Sequence, residues 1–561
     1  MSEALRLQGI GVSEGVSFGP AVPVRPAPGI DPDEPGSTDP VADGERAARA
    51  LAEVAEGLRR RAAATSGEAS EILEMTASLA TDKGLSKAIA KQLAGGAGLT
   101  RAVDAAVGTY VAKLQKLGGY MAQRSTDLND VRDRAIARLR GLPEPGVPAM
   151  TEPGIVVARD LAPAETAVLD PALVLGIITA EGGPTSHTAI LASGRGIPAV
   201  VRAEGITAVE EGTKVLLDGG SGEVFVRPAP ELVTAFTERA ERRRAALGDA
   251  SGPGRTACGH PVALLANVGT VEDAELAADK DVEGVGLFRT EFLFLDREVP
   301  PTCEEQTESY TRVLRAFGDR RVVIRTLDAG ADKPLHFADL GAEENPALGR
   351  RGLRLSQVRQ ELLDDQLAAL AAAQRATGAD LRVMAPMVAT AEEAQWFAAR
   401  ARAAGLTTVG IMIETPAAAI TSRHVLAGLE FASLGTNDLT QYTMAADRMQ
   451  GALAHLLTPW QPAVLHMIAA ACAGGEATGA KIGVCGEAAG DPLLALVLVG
   501  LGVSSLSMSP GKVPAVRMAL RHHSLEQCRA LAGRALAART AHDARGVVAA
   551  EADPSVLELI G

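Results

Sequence analysis

Arg289, Arg325, Glu414 and Asp438 are residues of this 561-residue chain whose types suit one small, highly charged ligand. Two arginines can grip a small dianion through bidentate hydrogen bonds, a task lysine performs less well. Glu414 and Asp438 supply two hard carboxylate oxygens, a set that suits Mg²⁺, whose shell is completed by substrate and water. Arginines and a divalent cation at one place point to a phosphorylated carboxylic acid as ligand. A second candidate lies upstream in EGGPTSHTAILASGRGIPAV, residues 181–200. Gly182 and Gly183 allow close backbone approach there, and Thr185, Ser186 and His187 open a helix whose free N–H groups suit phosphate oxygens. His187 is then either a nucleophile, its phosphorylated form steadied by the helix start and the Thr185 hydroxyl, or only a cap of that helix.

These residues need elements to position them. Beyond Arg255, eight apolar runs alternate with helical stretches: 262–269, 284–292, 321–330, 381–388, 408–415, 431–439, 481–487 and 504–509. Eight strand–helix alternations over roughly 300 residues predict a (β/α)₈ barrel, whose chemistry sits at the carboxyl ends of the strands. Those ends read Asn267, Arg289 with Glu291, Arg325 with Asp328, Met387 and Glu414. They continue with Asn437 and Asp438, Cys485 with Glu487, and Ser509. Any one of them alone is more often structural; their coincidence in one layer favours a site.

Upstream, residues 9–24 read as Val-rich strands and 26–44, rich in Pro, Asp and Gly, as a loop. Residues 45–142 read as a helical bundle, with Val103, Val107, Tyr110, Val111, Leu114 and Leu117 at helical spacing. Short apolar strands at 155–157, 174–178, 199–201 and 214–217 then form an α/β unit. A charged helix at 228–247 and the Gly-rich GDASGPG connect it to the barrel.

Composition sets the outer limits. Lysine and arginine number 55 against 69 acidic residues, a net charge of 55 − 69 = −14, which excludes a general nucleic-acid binder or a polybasic membrane surface. Apolar stretches such as 493–501 fall far short of the roughly 20 residues of a spanning helix, so no membrane insertion is expected. The first residues lack a basic and apolar leader pattern. Five scattered cysteines with no CxxC read as reduced thiols in a cytoplasmic protein.

GGPTSHTAI resembles the phosphohistidine segment of the phosphoenolpyruvate-utilising enzymes. GVGLFRTEFLF, VIRTLDAGADK, EENPALGRRGLRL, IMIETPAA, SLGTNDLTQYTMAADR and GVCGEAAGD resemble their barrel motifs, in order, along nearly the whole chain. The best fit is the enzyme I family of the sugar phosphotransferase system. The resemblance implies a swivelling phosphohistidine α/β domain (1–24 and 143–227) with an inserted helical, HPr-binding domain (25–142). A linker helix (228–254) and a phosphoenolpyruvate-binding, dimerising (β/α)₈ TIM barrel (255–561) follow. It further implies that His187 takes the phosphoryl group from phosphoenolpyruvate, releases pyruvate and passes the group to the phosphocarrier HPr, the first step of sugar uptake. Arg289, Arg325, Arg351, Asn437, Arg448 and Thr185 would contact substrate, Glu414 and Asp438 would hold Mg²⁺, and Cys485 would protonate the departing enolate. A thiol of near-neutral pKa suits that general-acid step. The partners implied are phosphoenolpyruvate, HPr and a second copy of the chain, paired through the barrel.

The chain departs from the family pattern in places. Pro184 stands where the family usually carries arginine, Ala331 interrupts the usual Gly-Gly-Asp-Lys string, and residues 507–514 differ from the common version. Thr76 stands where many members carry a histidine in the HPr-facing helix, while Asp127 and Asp130 keep their spacing. Pyruvate phosphate dikinase and phosphoenolpyruvate synthase share the histidine and the barrel but need an ATP-binding domain, and no GxxxxGK loop precedes His187. A catalytically silent regulator is disfavoured by the intact candidate residues.

Overall fold

The computed structural model describes residues 5–559 apart from 64–67, 118, 149, 162–168, 171, 184–186, 249, 296, 330–334, 339–340, 342 and 449. The chain divides into two compact units, residues 1–241 and 242–560.

The first unit contains one eight-stranded sheet. Its strands are β1 (Leu5–Gln8), β2 (Ile10–Ser13), β3 (Val16–Pro23), β4 (Gly154–Ala158), β5 (Val174–Thr179), β6 (Ala199–Val201), β7 (Lys214–Asp218) and β8 (Glu223–Val226). They lie in the order β1-β8-β7-β3-β4-β5-β6-β2. β3 to β6 pair in parallel, and the outer strands join antiparallel. The central strands are apolar on both faces, with Ile155, Val157 and Ile178 in one core and Val156, Ile177 and Ala199 in the other. Such continuous apolar runs are what a sheet covered on both sides requires. The edge strand β1 and its neighbour β8 were not among the expected strands; each has four residues, too few for an apolar run to stand out.

Between β3 and β4 the helices Pro40–Ala63, Glu68–Ala80, Lys83–Ala94, Leu99–Leu117 and Gly119–Leu139 pack around Leu51, Val54, Ile89, Val103, Val107 and Ile136. The first begins at Pro40, inside the stretch expected to be loop. Asp39 Oδ1 accepts hydrogen bonds from the Val41 and Ala42 N–H groups at 3.2 and 3.1 Å, and Pro40 occupies the first turn, where its missing N–H costs nothing. Thr76 is fully buried in this bundle, so it presents no side chain at the surface, whereas the neighbouring Met75 is exposed. The charged stretch after β8 forms the helix Pro230–Gly248.

The second unit is built on a closed barrel of eight parallel strands, as the alternation of apolar runs predicts. These are β9 (Ala263–Val268), β10 (Gly284–Arg289), β11 (Arg321–Arg325), β12 (Leu381–Val388), β13 (Val409–Ile413), β14 (Phe431–Gly435), β15 (Lys481–Cys485) and β16 (Ser505–Met508). Alternate residues face opposite sides. Leu287, Val323, Met384, Met412, Phe431 and Cys485 form one small cluster, one residue from each of six strands. Their neighbours, such as Val322, Ile324, Val383 and Ile411, pack in the large core that includes the surrounding helices. Capping boxes at Thr270–Asp273, Thr302–Glu305, Thr390–Glu393 and Ser524–Gln527 fix four helix starts.

A buried relay anchors the loop after β11. Gln366 Oε1 accepts from the Leu327 N–H at 2.9 Å, its Nε2 donates to the Tyr310 hydroxyl at 2.9 Å, and that hydroxyl donates to Gln306 Oε1 at 3.1 Å. Gln366→Leu leaves the Leu327 N–H and the Tyr310 oxygen short of partners, and unpaired buried groups cost about 1–3 kcal/mol each. Both tryptophans, Trp396 and Trp460, lie in this unit. Urea unfolding followed by their fluorescence therefore reads the barrel alone. The variant is expected to lose about 2–4 kcal/mol in that transition.

Candidate functional site

The carboxyl ends of the barrel strands bring eight of the expected residues around one cavity of about 160 Å³: Arg289, Arg325, Arg351, Glu414, Asn437, Asp438, Arg448 and Cys485. An adjoining cavity of about 210 Å³ shares Arg289 and Asn437 and adds Asn267, Ser509 and Lys512.

Arg325, the last residue of β11, sits beneath the opening and is almost entirely buried. Its guanidinium pairs with Glu291, approaches Asp328 Oδ2 at 3.0 Å and lies 3.9 Å from Glu414 Oε1. Burial opposes its charge, but Glu291, Asp328 and Glu414 outweigh that penalty and raise its pKa, so it stays protonated. Arg351 bridges the other side, with Nη2 3.2 Å from Asp328 Oδ2 and Nη1 3.1 Å from Asp438 Oδ1. Arg448 Nη1 reaches the same Asp438 oxygen at 3.7 Å. Arg289 at the end of β10 is exposed and lines both cavities. Asn437 and Asp438 were expected at a strand end; they occupy the first turn of the helix Thr436–Met444, immediately after β14.

The strand β12 carries a register irregularity between Ala385 and Val388, and Met387 there has φ +57°, a conformation rare for a side chain of its size. The turn aims the Met387 N–H at Glu414 Oε2, 2.8 Å away. Gly435 matters for the same carboxylate, because a Cβ at that position would lie 2.5 Å from Glu414 Oε1.

Six buried charges share this mouth: the cations Arg325 and Arg351, and the anions Glu291, Asp328, Glu414 and Asp438. Their formal sum is 2 − 4 = −2. The excess shows in Glu414, whose pKa is pushed up to about 8, first by burial and then by Asp438 and Asp328. A proton relieves part of that excess; a divalent cation on Glu414 and Asp438 would relieve all of it. Two carboxylates leave coordination positions for substrate and water, the pattern Mg²⁺ favours, so the residues fit the ion. Among the described residues, no three His, Cys, Asp or Glu side chains gather into a larger metal site. The mouth also holds unspent hydrogen-bonding groups: Arg325 Nε, Glu291 Oε2 and Thr436 Oγ1 are buried with no partner among the described residues.

Cys485 ends β15 and is buried, its Sγ 3.7 Å from the Leu434 carbonyl oxygen. The expectation of a near-neutral thiol is not met. Burial pushes its pKa up to about 11, against the Ser433 hydrogen bond and the pull of Arg325 and Arg289. A thiol so placed keeps its proton at neutral pH and is a donor rather than a nucleophile.

In the other unit, His187 is the first residue of the helix Val174–Thr179 leads into, His187–Arg195. Gly182 in the preceding turn has φ +93°, and its carbonyl accepts from Arg202 Nε at 2.9 Å. Thr185 and Pro184 lie outside the described residues, as does Ala331. Sequence reasoning missed Lys512. The glycine that makes room for it, Gly490, would with a Cβ come within 2.6 Å of the lysine Cδ, and nothing local in the sequence links the two.

Three family models match the chain: "PEP-utilising enzyme, N-terminal" over residues 8–124, "PEP-utilising enzyme, mobile domain" over 150–222 and "PEP-utilising enzyme, PEP-binding domain" over 247–525. The phosphoenolpyruvate-protein phosphotransferase of Streptomyces coelicolor is 49% identical over 96% of this chain and 98% of its own length. That of Haloferax volcanii is 43% identical over 77% of this chain and 78% of its own, and that of Haemophilus influenzae 34% identical over 95% and 97%. The chain belongs to the enzyme I family of phosphoenolpyruvate-utilising enzymes.

All five cysteines are free, and they are not equivalent. Cys258 is exposed, and hydrogen bonds from the Leu525 N–H, the Thr256 hydroxyl and the His260 N–H lower its pKa to about 7. Cys472 and Cys528 are pushed up to about 12 by burial. The thiolate is the reactive form. Iodoacetamide at neutral pH is therefore expected to alkylate Cys258 first, with a rate that climbs as pH rises through 7, while Cys485 stays unmodified until the barrel unfolds. Peptide mapping of the time course checks both.

Proposed function

We propose that this enzyme transfers the phosphoryl group of phosphoenolpyruvate to His187, releases pyruvate, and passes the group to the phosphocarrier protein HPr, opening sugar uptake by the phosphotransferase system. The observation that carries the reading is the convergence of four arginines, two candidate metal carboxylates and a protonated thiol on one cavity at the barrel mouth. Phosphoryl transfer depends on positioning and charge neutralisation more than on covalent help. Arg289, Arg325 and Arg448 neutralise the phosphoryl and carboxylate oxygens, and Asn437 orients the substrate beside them. Arg351 contacts substrate from a guanidinium already fixed by Asp328 and Asp438, so it also holds Asp438 in place. Glu414 and Asp438 would hold Mg²⁺, which when bound stabilises negative charge on the substrate oxygens.

The atoms balance simply. A neutral imidazole nitrogen of His187 attacks phosphorus in line, the phosphorus–enol oxygen bond breaks, and the enolate of pyruvate leaves. The Cys485 thiol gives its proton to the enolate carbon, and the raised thiol pKa keeps that proton loaded between turnovers. Thr185 steadies the phosphorylated imidazole.

The domain roles follow from the same reading. Residues 1–24 and 143–227 carry the phosphohistidine, 25–142 receive HPr, 228–254 link, and 255–561 bind phosphoenolpyruvate and pair with a second copy. With Thr76 inside the bundle, carrier contacts on the helix Glu68–Ala80 fall to its exposed positions, such as Met75. No described helix is long and apolar enough to cross a membrane, and we assign the enzyme to the cytoplasm.

Incubation with ³²P-labelled phosphoenolpyruvate and Mg²⁺ tests the reading. Acid-labile label is expected on His187, chasing to HPr when the carrier is added and absent from His187→Ala. Label supplied by ATP and not by phosphoenolpyruvate would refute it in favour of a dikinase.

A further inference from the structure

The opposite end of the barrel holds a second charged layer that the phosphotransfer does not use. Counting back two residues along β11, β12 and β15 from the inner cluster of Val323, Met384 and Cys485 gives Arg321, Arg382 and, past Gly483, Lys481. The amino-terminal ends of these three strands therefore bear cations in a position where barrels usually place bulky apolar side chains. They line a hollow together with Phe431, Ser433 and Ser505.

The hollow exists because small residues fill the layer above it. A Cβ on Gly286 would lie 2.4 Å from Ser507 Oγ, and one on Gly483 would lie 2.5 Å from Ser505 Oγ. Its volume, about 30 Å³, admits two or three water-sized groups, which suits the head of a small anion and excludes a whole metabolite.

The nearby acids are already engaged. Asp380 is bound by Arg382 at 2.8 and 3.1 Å, and Glu283 accepts from the Gly254 and Leu264 N–H groups at 3.0 and 2.9 Å. Glu430 pairs with Arg402 and accepts from the Val409 N–H. Arg321 and Lys481 make no ion pair within 4 Å and no side-chain hydrogen bond among the described residues. Burial, and then the neighbouring Arg382, lower the Arg321 pKa against the pull of Glu283 and Asp380. Two cations without a direct ion pair, beside a third and facing a hydroxyl-lined hollow of this size, match a tetrahedral oxyanion.

We propose that the amino-terminal mouth of the barrel binds a phosphoryl oxyanion, held by Arg321 and Lys481 with Arg382 and Ser505 beside them. The anion is either free phosphate or the exposed head of a phosphomonoester whose remainder stays in solvent. Such a ligand would sit one layer beneath the catalytic mouth, under Ser433, which hydrogen-bonds Cys485, and Ser507, whose Oγ donates to Asn267 Oδ1 at 2.6 Å.

Equilibrium dialysis of the full chain against labelled inorganic phosphate, and separately against glycerol 3-phosphate, tests this site. Arg289→Ala weakens the upper mouth, Arg321→Met and Lys481→Met the lower. Saturable binding is expected to persist in Arg289→Ala and to weaken about tenfold or more in each lower variant. Lys481 is exposed at the first residue of β15, so its variant keeps the test open if Arg321→Met fails to fold. Tighter binding of the ester identifies a phosphomonoester as occupant, and tighter binding of phosphate identifies the free ion. Loss of all saturable binding in Arg289→Ala, or binding indifferent to Lys481→Met, overturns the proposal.

Discussion

Four buried carboxylates and two buried guanidiniums at one barrel mouth cannot all remain charged without help. Removing ions from water costs several kcal/mol each after relaxation, and only close partners repay it. Arg325 and Arg351 are placed between acids so that each is compensated twice, through Glu291 and Asp328 on one side and Asp328 and Asp438 on the other. The arrangement still leaves two negative charges unmatched. That deficit suits the mouth to a divalent cation, and on the proposed reading the outer arginines Arg289 and Arg448 would face the anionic substrate.

The scaffold is organised around keeping those charges in place. Parallel strands send residues two apart to the same side, so β11 runs Arg321, Val323, Arg325 from one mouth through the apolar plug to the other. The irregular turn at Met387 delivers a backbone N–H to Glu414, and Gly435 leaves the space that carboxylate needs. Behind the loop carrying Asp328, the Gln366 relay fixes the chain through wholly buried hydrogen bonds. Cys485 shares the plug with five apolar side chains, and that burial explains its high pKa.

Much of this was legible in the sequence because barrel strands are buried on both faces and read as unbroken apolar runs ending in polar residues. All eight were found, and eight of the named residues line one cavity. What escaped depends on contacts far apart in the chain. The thiol of Cys258 owes its low pKa to an N–H at Leu525, 267 residues away, so composition could only count it as one more free cysteine. The near-neutral expectation for Cys485 failed because burial cannot be read from its own motif. Short strands such as β1, at the sheet's edge, and β8 beside it are defined by pairing with other segments of the chain, and the helix start at Pro40 was hidden by the proline and aspartate that in fact cap it.

The most direct measurement of the central claim is equilibrium binding of phosphoenolpyruvate to the full-length His187→Ala protein, with and without Mg²⁺, in otherwise intact and Arg325→Met backgrounds. If a charge-deficient barrel mouth holds the substrate, binding persists without the histidine, tightens markedly with the divalent cation and collapses in Arg325→Met. Binding that ignores the cation, or that survives the loss of Arg325, would place the substrate elsewhere and contradict the account.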